Sequence, residues 1–155
     1  MGTHGRFSPV LQQKEAVTTI TTTVEAVRPS RQIRWVAAFT FLSWLGVAVH
    51  NRADLPQLSV LSPENSITAL ISLLLFVGWW VLPAQRLMRL ALLGWAGLNL
   101  VGGGIISVIP FPFLPFHPEQ TLFHYLMHVQ YVLTQIPLIV ILLRQARRSA
   151  SREKG

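Results

Sequence analysis

The residues of this chain that are best suited to chemistry are histidines at the edges of apolar segments. His50 closes one such segment, His117 precedes another, and His124 and His128 lie near the beginning of that second segment. Because His124 and His128 are four residues apart, a helix places both imidazoles on one face, about 6 Å apart. This spacing predicts a chelating pair for a metal ion.

A metal site built on this pair needs at least one further protein ligand. His117 or His50 can supply it, and the other candidates are the carboxylates Asp54, Glu64 and Glu119. Zinc and copper both accept imidazole nitrogen. The chain has no cysteine, which excludes disulfides, iron–sulfur clusters and thiolate metal sites.

The same histidines also predict an alternative cofactor, haem b, held between two helices. In this interpretation His50 pairs with either His124 or His128. The latter two cannot both be axial ligands of one haem, because they leave the same side of a single helix. The simplest expectation is that no cofactor is bound and that the polar side chains only hydrogen-bond to one another.

Polar residues extend the histidine pair into a stripe along one helix face, with the spacing of three to four residues that a helix face requires. Polar groups in lipid need partners, so this face is predicted to turn inward and meet polar residues of other segments. The predicted interior residues besides the histidines are Thr121, Tyr131, Gln135, Asn99 and Ser43.

The composition limits the class of protein that can carry these residues. Hydrophobic residues make up 51% of the 155 residues and charged residues only 12%, against about 25% charged in soluble domains. So few charges leave too little polar surface for a soluble enzyme of this size. The chain also contains no nucleophile elbow and no phosphate-binding Gly-Lys-Ser/Thr loop, so the sequence indicates no enzyme class.

The apolar segments predict an all-α fold, an antiparallel four-helix transmembrane bundle, since each segment has about the length that a bilayer requires. Helix starts are predicted at Pro63-Glu64 and Pro118-Glu119. The glycine-rich third segment favours close helix packing over a ligand cleft. The predicted domains are a flexible cytosolic N-terminal tail (1–32), a transmembrane domain (33–143) with spans 33–50, 63–82, 87–109 and 118–143, and a basic cytosolic C-terminal tail (144–155).

The distribution of charged residues predicts the orientation of the bundle in the membrane. Twelve of the thirteen Lys and Arg residues fall on the side of the two termini and the middle turn, and only Arg52 falls on the other side. This positive-inside pattern predicts both termini in the cytoplasm and a multi-pass protein of the bacterial inner (plasma) membrane. Because topology explains the net charge of +7, nucleic acid is not expected as a partner.

The sequence names no substrate, and three functional interpretations stay open. The leading one is a non-enzymatic accessory membrane protein, in a larger membrane complex or a homo-oligomer. The alternative is a haem- or metal-binding redox protein that uses His50, His124 and His128. The third is a small permease whose path is lined by the polar stripe, although the span interiors carry no charged residue of the kind that proton-coupled pumps use.

Overall fold

The computed structural model describes residues 31–57, 59–112 and 118–152, and these residues are helical apart from the connections. The predicted N-terminal tail up to residue 30 and His117 lie outside the described residues. The helices are α1 (Arg31–Asp54), α2 (Pro63–Val81), α3 (Gln85–Leu98) and α4 (Leu122–Arg152). A π-helical segment (Asn99–Ile105) and a short 3-10 turn (Ile106–Val108) prolong α3.

The described residues contain four helical stretches that are long and apolar enough to cross a membrane, counting α3 with its two extensions as one. The outward surfaces of these helices are apolar. Phe41, Leu73, Leu98 and Leu133 each leave more than half of their surface exposed. A soluble protein rarely exposes apolar patches of this extent, so the helix surfaces fit a lipid environment, as the composition predicts.

The helix boundaries differ from the predicted spans at two places that matter for the site. Helix α1 continues beyond residue 50 to Asp54, which adds one turn after His50. Helix α4 begins at Leu122 instead of Pro118. The reason lies in Thr121, whose hydroxyl oxygen accepts a hydrogen bond from the His124 backbone N–H at 3.2 Å and so caps the helix.

The far end of α4 also differs from the prediction. The helix runs on through the arginine-rich segment to Arg152, so most of the predicted basic tail is helical. A core of six buried residues joins the four helices: Val36 from α1, Trp79 from α2, Leu92 and Ala96 from α3, and Leu138 and Leu142 from α4.

The glycines of the third segment let the π-helical segment lie directly against α4. A Cβ atom on Gly103 would stand 2.6 Å from the Tyr131 hydroxyl, and one on Gly104 would stand 2.7 Å from a methyl group of Val132. No side chain fits at these distances. The close-packing interpretation is therefore confirmed at Gly103 and Gly104.

Candidate metal centre

Three of the predicted site residues meet where α1 ends and α4 begins. The ring centroids of His50 and His128 are 4.3 Å apart, and those of His124 and His128 are 4.5 Å apart. All three residues are buried, with 8% or less of their surface exposed. The extra turn of α1 adds a carboxylate, and the four residues His50, Asp54, His124 and His128 are called the histidine cluster below.

Asp54 connects the two helices through its two carboxylate oxygens. Its Oδ1 lies 3.1 Å from His124 Nδ1, and its Oδ2 lies 3.6 Å from His50 Nε2. Asp54 and His50 are neighbours because a helix brings residues four apart to the same face. The sequence allowed Asp54 as one of several extra ligands. All three carboxylates are exposed, and Asp54 is the one that contacts the histidines.

The hydrogen bonds of the two α4 histidines determine where their lone pairs point. His124 Nδ1 lies 3.1 Å from Asp54 Oδ1, and His128 Nδ1 lies 3.1 Å from the carbonyl oxygen of Gly104. A carboxylate and a carbonyl only accept hydrogen bonds, so each Nδ1 is assigned as the N–H donor. In a neutral imidazole the other nitrogen, Nε2, then carries a lone pair.

These two lone pairs face each other. His124 Nε2 and His128 Nε2 are 3.1 Å apart, a distance at which two unprotonated nitrogens repel unless a cation lies between them. A proton or a metal ion satisfies both. Two ligands of a tetrahedral zinc ion, with bonds of about 2.0–2.1 Å, lie about 3.3 Å apart. The pair is thus close to the spacing that a bound ion requires.

His50 brings a further possible donor close to His128. One ligand atom each from His50, Asp54 and His128 lie within 4.8 Å of one another, and His124 is not a member of this group of three. His50 Nδ1 is buried and has no hydrogen-bond partner. Among the described residues this is the one group of three or more potential ligands that could hold a metal ion.

On the C-terminal side of the histidine cluster, the polar stripe of α4 contacts polar residues of the other helices. The Tyr131 hydroxyl donates a hydrogen bond of 2.9 Å to Asn99 Oδ1. The Ser43 hydroxyl donates to Gln135 Oε1, and Gln135 Nε2 donates to the Ser43 carbonyl oxygen at 3.0 Å. These four predicted interior residues are buried and bonded in pairs.

Thr121 differs from the other members of the predicted stripe. It is exposed and serves as the cap of α4, so its side chain bonds to the backbone instead of facing the interior. The predicted ligand His117 lies outside the described residues.

Two contributions to the site were not predicted from the sequence. One is the Gly104 carbonyl oxygen, which the π-helical segment directs at His128. The other is Asn65 of α2, which is 1% exposed and accepts a hydrogen bond of 2.9 Å from the Asn51 side chain, one residue after His50. The Asn65 carbonyl oxygen also accepts from Trp44 Nε1 at 3.1 Å. A polar residue in the first turn of an apolar helix is the one sequence signal that could have indicated Asn65.

Comparison with known proteins gives no match: no family model fits the chain, and neither a curated protein nor a solved structure resembles it significantly. Any assignment of function therefore rests on the geometry of the described residues.

Proposed function

We propose that this protein is a multi-pass membrane protein that binds one divalent transition-metal ion, zinc or copper, in the histidine cluster. The observation that carries this proposal is the pair of facing Nε2 atoms, 3.1 Å apart, with both Nδ1 atoms engaged by oxygen acceptors. Metal-bound histidines usually donate their second ring N–H to a carboxylate or a backbone carbonyl. His124 and His128 have one partner of each kind.

The spacing of the imidazoles favours an ion over haem. In a haem with two histidine ligands, the macrocycle lies between the two rings. His50 and His128 have ring centroids only 4.3 Å apart, at an interplanar angle of 62°, and in the other pair, His50 and His124, the centroids are 6.2 Å apart with the His128 ring within 4.5 Å of both. The rings of His50 and His128 touch edge to face, which leaves no layer for a porphyrin between them. A single ion, by contrast, needs only small ring movements.

The donor set also supports a structural role for the ion. Three imidazoles and a carboxylate can fill all four positions of a tetrahedral ion, as in structural zinc sites, whereas catalytic zinc keeps a position open for water. The donors come from α1 and α4, so the ion would cross-link these two helices. Bound at 100 times its Kd, it would stabilise the folded state by about 2.7 kcal/mol.

Metal binding can be tested on the purified chain. We expect elemental analysis and calorimetric titration to give about one zinc or copper ion per chain, and cobalt substitution to give the visible absorption of tetrahedral coordination. The Asp54→Asn variant should bind at least about 10-fold more weakly, because it loses the carboxylate that supplies one proposed ligand oxygen and also accepts a hydrogen bond from His124. The matched control is Glu64→Gln, which loses the same charge from an exposed residue. Metal-free wild-type protein that fails to take up either ion would contradict the proposal.

We further propose that the four helices form an antiparallel bundle with both termini in the cytoplasm of a bacterial cell and the histidine cluster at the outer face. The contact of Asp54, at the end of α1, with His124, at the start of α4, supports opposite directions for these helices. The concentration of Lys and Arg on the side of the termini supports the orientation.

The absence of native cysteine allows this topology to be tested with single introduced thiols. In intact spheroplasts a membrane-impermeant maleimide should label Gln57→Cys, which lies just after α1, and should label Ala150→Cys only after permeabilisation. Both positions are exposed, so access differs only by the membrane. The reverse labelling pattern would overturn the orientation.

The accessory and permease interpretations remain predictions beside this proposal. The stripe residues Ser43, Gln135, Tyr131 and Asn99 are satisfied by one another, which supports a packing role for them over a role in lining a path. An accessory role is compatible with a structural ion. It is tested by gentle purification from the native membrane, where a larger complex or a homo-oligomer should be recovered.

A further inference from the structure

A second polar site lies at the opposite end of the helices, about 27 Å from His50 along α1, at a rise of about 1.5 Å per residue. Here a cavity of about 270 Å³ opens between the start of α1, the end of α2, the start of α3 and the end of α4. Its polar lining consists of Gln32, Gln85, Arg89, Gln145, Arg148 and Ser149. This space is called the arginine cavity below.

The charges around the arginine cavity are unbalanced. Arg89 and Arg148 both line it, and none of the lining residues is acidic. The acidic residues in the described part of the chain are Asp54, Glu64 and Glu119, which are all distant in sequence from this end of α3 and α4. Among the described residues, no carboxylate lines the cavity to balance these two arginines, and a bound anion would supply the counter-charge.

Two buried donors in the arginine cavity have no acceptor. Gln145 is only 9% exposed, and its Nε2 has no hydrogen-bond partner. Arg89 Nε is likewise buried without a partner, although the same guanidinium donates a hydrogen bond of 3.0 Å to the Ser149 hydroxyl. Leaving a buried donor unpaired destabilises the folded chain, and more so when the group is charged. A bound acceptor would remove this cost.

The backbone contributes further donors. Helix α3 begins at Gln85, which lines the cavity, and the preceding Ala84 provides no side-chain cap. The first N–H groups of a helix have no partners within it, and together with the helix dipole they attract anions. A guanidinium and an unpaired amide side chain thus line a cavity that also borders the residue at which α3 begins.

We propose that the arginine cavity binds a phosphate group. Phosphate presents several acceptor oxygens, which suits the planar array of Arg89 donors and the helix N-terminus. The volume lies slightly below the range of about 300–1,000 Å³ for small-molecule sites, which suits a phosphate group better than a larger ligand. The group can belong to an anionic lipid headgroup, since basic cavities between membrane helices bind such lipids, or to free phosphate.

The two sources are distinguished with the full chain in a neutral detergent. One arm titrates inorganic phosphate by calorimetry and follows the tryptophan fluorescence, because Trp79 also lines the cavity. The other arm reconstitutes the chain with phosphatidylglycerol in phosphatidylcholine and counts the retained phosphatidylglycerol by native mass spectrometry. Binding in the first arm assigns free phosphate, and binding in the second arm alone assigns the lipid headgroup.

Two variants connect either result to the cavity. Arg89→Gln should weaken binding by about tenfold or more, as expected for a lost charge-assisted hydrogen bond. Gln145→Glu should abolish binding. The glutamate side chain has nearly the same size as that of glutamine, and its carboxylate would pair with Arg89 in place of the bound anion. Gln145→Glu provides a second test if Arg89→Gln does not fold, because it keeps the Arg89 guanidinium and places a counter-charge in the same cavity.

The matched control is Arg144→Gln, which removes an arginine one residue from Gln145 that is exposed and does not line the cavity. It should leave binding within about twofold of wild type, since exposed charges contribute little. The proposal is overturned if neither probe binds, or if Arg144→Gln weakens binding as much as Arg89→Gln does. Neither phosphate binding nor lipid binding depends on the histidine cluster. A failure of this proposal would therefore leave the metal proposal unaffected, and the reverse also holds.

Discussion

Replacing His128 with alanine should abolish stoichiometric metal binding. His128 is the centre of the histidine cluster: its Nε2 faces His124 Nε2 at 3.1 Å, and its ring touches that of His50. Its loss removes one of the four proposed ligands, the imidazole that contacts both of the others, and structural zinc sites are almost always four-coordinate. We expect an affinity loss of at least about 100-fold by calorimetry and no retained metal by elemental analysis.

The control for this variant removes an exposed aromatic ring near the start of α4. Phe123 is 57% exposed, so Phe123→Ala should keep one ion per chain. A His128→Cys variant should recover part of the affinity for zinc, because a thiolate is also a zinc ligand. If His128→Ala binds as tightly as wild type, the ion is held elsewhere and the proposed site is wrong.

Replacing Gly103 with alanine should destabilise the folded protein by about 1–3 kcal/mol, the usual cost of forcing an extra methyl group into a packed interior. The added Cβ would stand 2.6 Å from the Tyr131 hydroxyl and 2.8 Å from the Tyr131 ring. Tyr131 cannot easily move away, because it is 4% exposed and donates to Asn99. The π-helical segment must shift instead, and Gly104, which accepts from His128, would shift with it.

The same substitution at Gly97 provides the control, because no atom lies within 4 Å of a Cβ placed there. Gly97→Ala should be neutral or should stabilise the helix by up to about 1 kcal/mol. Both free energies of unfolding can be measured by titration with a denaturing detergent. Equal effects of Gly97→Ala and Gly103→Ala would show that the π-helical segment does not pack on α4 as described. Metal affinity should fall for Gly103→Ala alone.

The two predictions are connected by the π-helical segment. A π-helix places one extra residue in a turn and often occurs at functional sites. Here it brings the carbonyl oxygen of Gly104 to 3.1 Å from His128 Nδ1. That contact fixes which nitrogen of His128 carries the proton, so the glycines determine the orientation of a ligand as well as the helix spacing.

Much of the fold follows from the sequence because apolar length is a strong signal. Four apolar segments predicted four helices, and α2 begins at Pro63 as predicted. The ends of the other helices were less certain from the sequence. The start of α4 depends on whether Thr121 or Pro118 ends the preceding loop, and the end of α1 depends on whether Asp54 finds a partner. Capping and tertiary contacts decide both, and neither leaves a pattern in hydropathy.

The candidate site could be predicted in its residues but not in its geometry. The HxxxH spacing and the position of His50 identified three of the four cluster members. From the sequence, Asp54, Glu64 and Glu119 were equally possible as the additional metal ligand, because nothing in the sequence shows which carboxylate reaches the histidines. For Arg86 and Arg89 the sequence favoured a role in setting the topology over binding of a phosphate or a lipid headgroup, since the cavity beside Arg89 forms from four separate helices.

By itself, the sequence determined the membrane class, the number of apolar helices and the histidine-rich end, because these depend on composition and on spacing within one segment. The tertiary structure alone decided that Asp54 and the Gly104 carbonyl hold the two α4 histidines with their free nitrogens facing each other. It also decided that Gln145 and Arg89 share a cavity. Both arrangements join residues of different helices, and such contacts are fixed by packing at long sequence separation, which no local pattern encodes.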